Sequence, residues 1–208
     1  MTGAKKTFLV AGLTGIIGSG KSTAGRFFAE EGARVVEIDA LARELMEKSE
    51  KIREKIIAGF GEDSYLNGGK LNSRKIADLV FQNTENLERL NRIVHPEVIQ
   101  AVRDAIRNLT KEDYHGIFMV DAPLIFETKL NRLMDVTIVV AASEEACVER
   151  VMKRSGLTAD EVRARLKNQW PLEKKIELAD IVIRNDGTLE QLKEQVQKIY
   201  KDLQKQIC

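Results

Sequence analysis

Short, almost uninterrupted apolar runs alternate along this chain with stretches in which apolar residues recur every three or four positions. The first kind of segment predicts β-strands, and the second predicts amphipathic helices. Strands that are apolar along their whole length and separated by helices are typical of a parallel sheet covered on both faces. We therefore expect an α/β fold, with strands at residues 7–13, 33–38, 116–120, 135–141 and 181–184.

Two threonines mark the expected starts of helices. Thr158 is followed three residues later by Glu161, and Thr188 by Gln191, which is the spacing of a capping box. In the segment after Thr188 the apolar residues fall on one helical face, which we expect to pack against the core.

The alternation stops between the second and third predicted strands. Residues 40–111 contain no convincing strand but show helix-like runs at 41–48, 51–60, 74–81, 85–94 and 96–108. We expect a helical insertion at one end of the sheet, where a second substrate can be enclosed. A decorative insertion or an oligomer interface is the alternative.

The junction between the first strand and the next helix carries the most specific motif. Residues 15–22 read Gly-Ile-Ile-Gly-Ser-Gly-Lys-Ser, a complete G-x-x-x-x-G-K-[ST] phosphate loop in the strand–loop–helix setting that this motif requires. Successive backbone N–H groups there can wrap an anion, and Gly18 and Gly20 permit positive φ. Lys21 would reach the β- and γ-phosphates, and Ser22 would ligate Mg²⁺. The motif predicts that the chain binds a nucleoside triphosphate.

A second interruption of the pattern, at residues 153–171, is rich in basic side chains. Basic residues in a segment that crosses back over a phosphate loop can form a lid, which supplies charge and excludes water. A solvated helix face has a similar composition, so both interpretations stay open.

Two acidic residues close predicted strands, where open α/β sheets place their ligands. Asp39 can accept a substrate hydroxyl proton or orient metal-bound water, or it can cap a helix that starts near Ala40. Arg43 follows one helical turn later and can bind a phosphate or pair with Asp39 or Glu47. Asp121 ends a run resembling a Walker B strand, whose Asp holds Mg²⁺ directly or through water.

Other polar residues have two interpretations each. His95 precedes Pro96, which suits the first turn of a helix, and can either contact a substrate or cap that helix. Asn185 and Gly187 follow the last predicted strand and can touch an adenine or simply form a turn. We expect His115 on the surface.

Composition narrows the classes of partner. The formal net charge is +1, with 33 basic and 32 acidic residues scattered along the chain, so no basic block indicates nucleic acid binding. No apolar run approaches the roughly 20 residues that span a bilayer, and the first apolar run leads directly into the phosphate loop, so we expect no cleavable signal peptide. Cys147 and Cys208 lack metal-ligand spacing, and we expect no disulfide. A cytoplasmic protein fits these features.

Taken in order, the motifs resemble those of dephospho-coenzyme A kinases over nearly the whole chain. Residues 14–22 match the family's T-G-x-I-G-S-G-K-S loop, residues 37–43 its D-A-D-x-x-A-R segment, and residues 90–96 its helix ending in His-Pro. Residues 123–127 match its P-L-L-F-E loop, residues 165–169 its R-I-x-x-Q lid signature, and residues 179–187 its A-D-x-V-I-x-N-x-G ending. Two residues depart from the pattern. Ile16 replaces a common glycine, which should be tolerated because its amide faces the phosphate, and Glu37 replaces the first Asp of the acidic pair.

The resemblance implies a substrate pair and an architecture. The substrates are ATP and dephospho-coenzyme A, whose ribose 3′-hydroxyl is phosphorylated with the help of Mg²⁺, and no obligate protein partner is implied. The fold is an α/β P-loop kinase core with a five-stranded parallel sheet flanked by helices. By the boundaries above, the core comprises residues 1–39, 112–152 and 172–208, the helical acceptor-binding insertion 40–111, and the lid 153–171.

The resemblance also implies roles for single residues. The catalytic residues are Asp39, as the candidate base, and Lys21. The acceptor-side residues are Arg43, His95, Pro123 and Leu124, and the lid residues are Arg163 and Arg165. The expected ATP ligands are Gly15, Ile17, Gly18, Ser19, Gly20, Lys21, Ser22, Thr23, Arg154 and Asn185. The phosphate-loop and strand-end patterns described above, rather than the family resemblance, place the expected Mg²⁺ at Ser22, with Asp121 or Asp39 acting through water.

Two other functional classes remain open at this point. A small-molecule kinase of the same architecture could act on a nucleoside, a nucleotide or a shikimate-like alcohol, and only the family match argues against it. A nucleotide-switched binding protein would need a guanine-reading motif such as N-K-x-D, which the sequence lacks.

Overall fold

The structure, a computed structural model, describes residues 6–81 and 83–207. The chain forms two compact units, one from residues 1–37 and 109–208 and the other from residues 38–108. The beginning of the N-terminal segment and Cys208, for which we expected no signal peptide and no disulfide, lie outside the described residues.

The first unit is built on a parallel sheet of five strands in the order β2-β3-β1-β4-β5. Each end of the predicted strands falls within one residue of the observed end. The central strand β1 is buried along all but its first residue, and its neighbour β4 is buried along its whole length, which explains their continuous apolar sequence. The strands are β1 (Phe8–Thr14), β2 (Arg34–Glu37), β3 (Gly116–Asp121), β4 (Val136–Ala141) and β5 (Ile181–Arg184).

Helices occupy most of the chain between the strands. They are α1 (Lys21–Glu30), α2 (Ile38–Lys48), α3 (Glu50–Phe60), α4 (Ser73–Phe81), α5 (Thr84–Lys111), α6 (Glu144–Ser155), α7 (Ala159–Leu166), α8 (Leu172–Leu178) and α9 (Leu189–Gln204). Both predicted capping boxes are confirmed, at the starts of α7 and α9. The core of the first unit contains Phe28 of α1, Leu13 of β1 and Val196 of α9, so the amphipathic face predicted for α9 does lie on the core.

The second unit is helical and has its own small core. Ile52 and Ile56 of α3 are fully buried together with Tyr65 and Leu71. The Tyr65 hydroxyl donates a hydrogen bond to the Met46 carbonyl oxygen at 2.7 Å, which satisfies the polar end of this buried ring. These contacts give residues 38–108 a packed interior.

One helix boundary was wrongly predicted. Helix α5 runs without interruption from Thr84 to Lys111 with Pro96 inside it, whereas the sequence pattern indicated two helices that meet at this proline. An interior proline costs about 3 kcal/mol because it removes a hydrogen bond. Val94, Val98 and Val102 keep helical spacing across the proline and are all buried, so packing outweighs that cost. The interpretation of His95 as a helix cap is therefore wrong.

No helix within residues 6–81 and 83–207 combines the length and the hydropathy needed to cross a membrane.

Candidate active site

The phosphate loop joins β1 to α1 and has the backbone conformation that its glycines predict. Gly18 and Gly20 have φ of +83° and +92°, in the left-handed region that L-residues rarely adopt. Gly20 is also the N-cap of α1, and no side chain of the described residues caps this helix end. The N–H groups of Thr23 and Ala24 donate to the Gly20 carbonyl oxygen at 3.0 Å, so it is the preceding N–H groups of Lys21 and Ser22 that α1 offers to an anion, which the helix dipole also favours.

Neighbouring residues pack closely against the phosphate loop and leave no room for a Cβ atom at three of its glycines. A Cβ atom on Gly15 would lie 2.6 Å from the Val140 carbonyl oxygen. A Cβ on Gly18 would lie 2.9 Å from backbone atoms of Cys147, and one on Gly20 would overlap the side-chain amide of Asn185. Only glycine fits at these three positions without moving the neighbouring chain.

Side chains from the C-terminal third of the chain hold the loop through its backbone. Asn185 is buried, and its amide donates to the Ser19 carbonyl oxygen at 2.7 Å. The Gln169 side-chain oxygen accepts from the Ile17 N–H at 2.9 Å, and Arg150 donates to the Asn185 carbonyl oxygen at 2.7 Å. The structure therefore places the predicted residue Asn185 against the phosphate loop, while a direct contact with ATP stays a prediction.

The departure at Ile16 is absorbed by packing. Its side chain is buried with Ala142 and Cys147, and Leu166 and Leu172 pack against this cluster. The side chain thus contributes to a small core of the first unit, while the expectation that the Ile16 amide faces the phosphate stays a prediction.

The phosphate-loop lysine has a buried acidic partner. The Lys21 ammonium donates to the carboxylate of Asp121, which ends β3 and is 3% exposed. In the sheet register Asp121 lies opposite Leu13 of β1 and Glu37 of β2, so all three mark the carboxyl edge of the sheet. The hydroxyl of Ser22 and the Asp121 carboxylate are hard oxygen donors, the type that Mg²⁺ prefers. These residues fit the predicted metal.

The loop that follows β3, residues 123–127, is fixed by a residue that sequence reasoning missed. Lys175 of α8 is fully buried, and its ammonium donates to the Pro123 carbonyl oxygen at 2.6 Å and to Glu127 Oε1 at 2.7 Å. Burial lowers the pKa of Lys175, and the hydrogen bond and charge of Glu127 oppose that effect. The predicted acceptor residues Pro123 and Leu124 are half-buried within this loop.

The predicted base and its neighbours belong to the second unit. Asp39 is exposed and lies in the first turn of α2, which begins at Ile38, so Asp39 does not precede the helix as a cap would. Arg43 is exposed too, and its Nε lies 3.6 Å from Oε1 of Glu47, one of the two partners expected for it. His95 is half-buried in α5, where burial lowers its pKa.

The predicted lid residues lie on α6 and α7. Arg154 is exposed in the last turn of α6, and Arg163 is exposed on α7, where its Nε lies 3.8 Å from Glu144 Oε1. Arg165 is half-buried in the last turn of α7. Their action on a nucleotide stays a prediction.

Sequence reasoning did not identify Arg150, which binds the Asn185 carbonyl oxygen, or Lys175, which binds the 123–127 loop, as residues of the candidate site. Each lies on a helix rich in charged side chains, where basic residues are normally solvated. Gln169 was part of the lid signature, which was the available signal for it.

Comparison with known proteins gives one answer. The family model for dephospho-CoA kinase matches residues 9–191. A dephospho-CoA kinase of Carboxydothermus hydrogenoformans is 40% identical over 187 residues, which cover 90% of each chain. A Thermus thermophilus protein of known structure is 35% identical with a TM-score of 0.77, over 94% of this chain and 97% of that one. Dephospho-CoA kinase from Campylobacter jejuni is 25% identical with a TM-score of 0.70, over 96% and 98%.

These similarities confirm the predicted α/β fold of the P-loop kinase type. They extend across both units, because the matched residues 9–191 include the phosphate loop, the helical residues 38–108 and residues 153–171. The chain therefore belongs to the dephospho-CoA kinase family.

Proposed function

We propose that this chain transfers the γ-phosphoryl group of ATP to the ribose 3′-hydroxyl of dephospho-coenzyme A, giving coenzyme A and ADP. This reaction is the last step of coenzyme A synthesis. The observation that carries the proposal is the phosphate loop with Lys21 paired to the buried Asp121, in a chain of the dephospho-CoA kinase family.

The phosphate loop is the proposed ATP site. Its backbone N–H groups and the N-terminus of α1 offer donors and a favourable dipole to the phosphates, and Lys21 adds a full positive charge. The γ-phosphoryl group passes through a loose transition state, so positioning and charge compensation supply most of the rate acceleration. The contacts from Asn185 and Gln169 keep this loop in place before ATP binds.

Ser22 is the proposed protein ligand of Mg²⁺, with Asp121 or Asp39 acting through water. When bound, the ion would neutralise negative charge on the phosphates. The protein's own contribution is to hold the hydroxyl of Ser22 in the first turn of α1, directly after Lys21.

Asp39 is the proposed base, which aligns the 3′-hydroxyl and accepts its proton. Arg43, His95, Pro123 and Leu124 are the proposed contacts to the acceptor. Asp39→Asn should lower kcat while ATP binding stays largely intact, because the amide keeps the shape but cannot accept the proton. Asp78→Asn, at another exposed position of the second unit, is the matched control. An unchanged kcat in Asp39→Asn would remove Asp39 from the mechanism.

Arg163 and Arg165, with Arg154, are the proposed lid cations that compensate charge on ATP. If the lid acts on the transferred group, Arg165→Ala slows turnover more than it weakens acceptor binding. A fall in acceptor affinity at constant kcat would instead place Arg165 in the acceptor site.

We place the reaction in the cytoplasm. Cys147 is a free, buried thiol, which suits a reducing compartment.

One incubation tests the proposed reaction directly. The protein is mixed with ATP, Mg²⁺ and dephospho-coenzyme A, and the product is identified by mass as an acceptor that has gained one phosphoryl group. Lys21→Ala serves as the negative control, and parallel reactions contain nucleosides, nucleotides or shikimate. Coenzyme A should form only with the intact phosphate loop. Turnover of another alcohol without any coenzyme A would overturn the proposal in favour of a different small-molecule kinase.

A further inference from the structure

We propose that Lys175 is a positioning residue for phosphoryl transfer, which holds the 123–127 loop in the geometry that the acceptor requires. The proposal rests on the proposed function, because it assigns acceptor contacts to this loop. It adds a role for a residue of α8, which the motifs do not include.

The ammonium of Lys175 is hydrogen-bonded to both ends of the 123–127 loop. Its ammonium donates to the Pro123 carbonyl oxygen at 2.6 Å and to Glu127 Oε1 at 2.7 Å, and the side chain is fully buried. A single cation thereby fixes the first and last residues of a five-residue turn segment at the carboxyl edge of the sheet.

The same two acceptors tie the loop to the ATP side. The Pro123 carbonyl oxygen also accepts from Thr14 Oγ1 at 3.2 Å, and Thr14 directly precedes the phosphate loop. Glu127 Oε1 also accepts from the backbone N–H of Trp170 at 3.0 Å, near the end of the 153–171 lid segment. Lys175 therefore lies where the strand that enters the phosphate loop, the 123–127 loop and the lid segment are hydrogen-bonded to one another.

The charges in this cluster are poorly explained by stability alone. Removing an ammonium and a carboxylate from water is costly, and well-packed apolar residues often replace a buried ion pair without loss of stability. Glu127 Oε2 is buried and has no hydrogen-bond partner within residues 6–81 and 83–207, so part of the cost is not recovered. The ion pair does provide directional hydrogen bonds. The ammonium binds a carbonyl oxygen and a carboxylate at the same time, which an apolar side chain cannot do.

The test uses the full chain with two variants. Lys175→Met alone leaves the Glu127 carboxylate without its cation and can unfold the protein. Lys175→Met combined with Glu127→Gln removes both charges at similar volume and keeps the proposal testable. Lys198→Met, an exposed lysine of α9, is the control.

Steady-state kinetics, ATP titration and amide hydrogen exchange are measured on folded samples, whose melting temperatures are compared first. For the double variant we expect kcat/KM for dephospho-coenzyme A to fall by up to about 100-fold, the loss expected for a displaced substrate contact. The Kd for ATP should stay within about threefold, and exchange should accelerate in residues 123–127. The control should match the wild type.

Three results would overturn the proposal: an unchanged kcat/KM, an equal loss of ATP affinity, or unchanged hydrogen exchange in the loop. A wild-type chain that makes no coenzyme A would instead refute the proposed function. In that case the exchange measurement would still decide whether Lys175 holds the loop.

Discussion

Replacing Gly18 with alanine tests whether the back of the phosphate loop is in contact with α6. Gly18 has φ of +83°, and a Cβ built on it would lie 2.9 Å from the carbonyl carbon and the Cα atom of Cys147, and closer still to its carbonyl oxygen. These are backbone atoms of a helix whose side chains are buried in this region, so they cannot rotate away. The new methyl group must displace either the loop or the helix.

The expected loss of stability in Gly18→Ala has two parts, the cost of the left-handed backbone conformation and the cost of overpacking. A substitution at a second glycine measures the first part alone. Gly156, the C-cap of α6, has φ of +67°, and apart from its chain neighbours no atom of the described residues lies within 4 Å of a Cβ built on it. Gly156→Ala should therefore show only the cost of the left-handed conformation, about 1–2 kcal/mol. Gly18→Ala adds overpacking, typically 1–3 kcal/mol, for a total of roughly 2–5 kcal/mol.

Urea denaturation of both variants gives the free energies of unfolding, and equal m-values establish that the same transition is compared. ATP titration should show a weaker Kd for Gly18→Ala, because the substitution shifts the loop N–H groups. Equal losses of stability in the two variants would refute the contact between the loop and α6.

Three further perturbations test single side chains. Lys21→Ala should lose roughly 2–4 kcal/mol of transition-state stabilisation, about 30- to 1,000-fold in kcat/KM, and a loss of less than about threefold would contradict its role. Burial lowers the pKa of His95 below its ordinary value of about 6.5. Between the folded and the unfolded pKa the unfolded state therefore binds more protons than the folded state. The free energy of unfolding should fall as the pH drops from about 6.5 towards the lower pKa of the folded state. His95→Gln should reduce this pH dependence in denaturation experiments and the exposed His115→Gln should not; equal effects would contradict burial as the cause. Burial also raises the pKa of the Cys147 thiol to about 11. In a Cys208→Ser background, iodoacetamide at pH 8 should therefore label Cys147 only after unfolding. Rapid labelling of the native protein would show that the buried cluster of Ile16, Ala142 and Cys147 opens.

The strands and the phosphate loop could be predicted because local sequence determines both. A strand buried on two faces must be apolar throughout, so its ends coincide with changes in hydropathy. The loop needs glycine where φ is positive, and a lysine and a hydroxyl at fixed spacing, so a few consecutive residues suffice to identify it. Asp121 could be suggested for the same reason, since it ends such a strand.

The remaining features depend on contacts between distant segments. Pro96 breaks a helix by any local rule, yet α5 continues because Val94, Val98 and Val102 are buried together. Lys175 lies in a short polar helix, where a lysine is normally solvated, and is buried because it meets a loop some fifty residues earlier. No local pattern reports such a partner.

The two departures from the family pattern have different physical consequences. The side chain of Ile16 is buried in a small core with Cys147 and Leu166, so the substitution is a matter of packing. Glu37 is exposed at the carboxyl end of β2, opposite Asp121 in the sheet register. Compared with the aspartate expected from the family motif, it keeps the negative charge but extends the carboxylate by one methylene group. A difference in chemistry between this chain and its relatives is therefore to be sought at Glu37 rather than at the more conspicuous change within the phosphate loop.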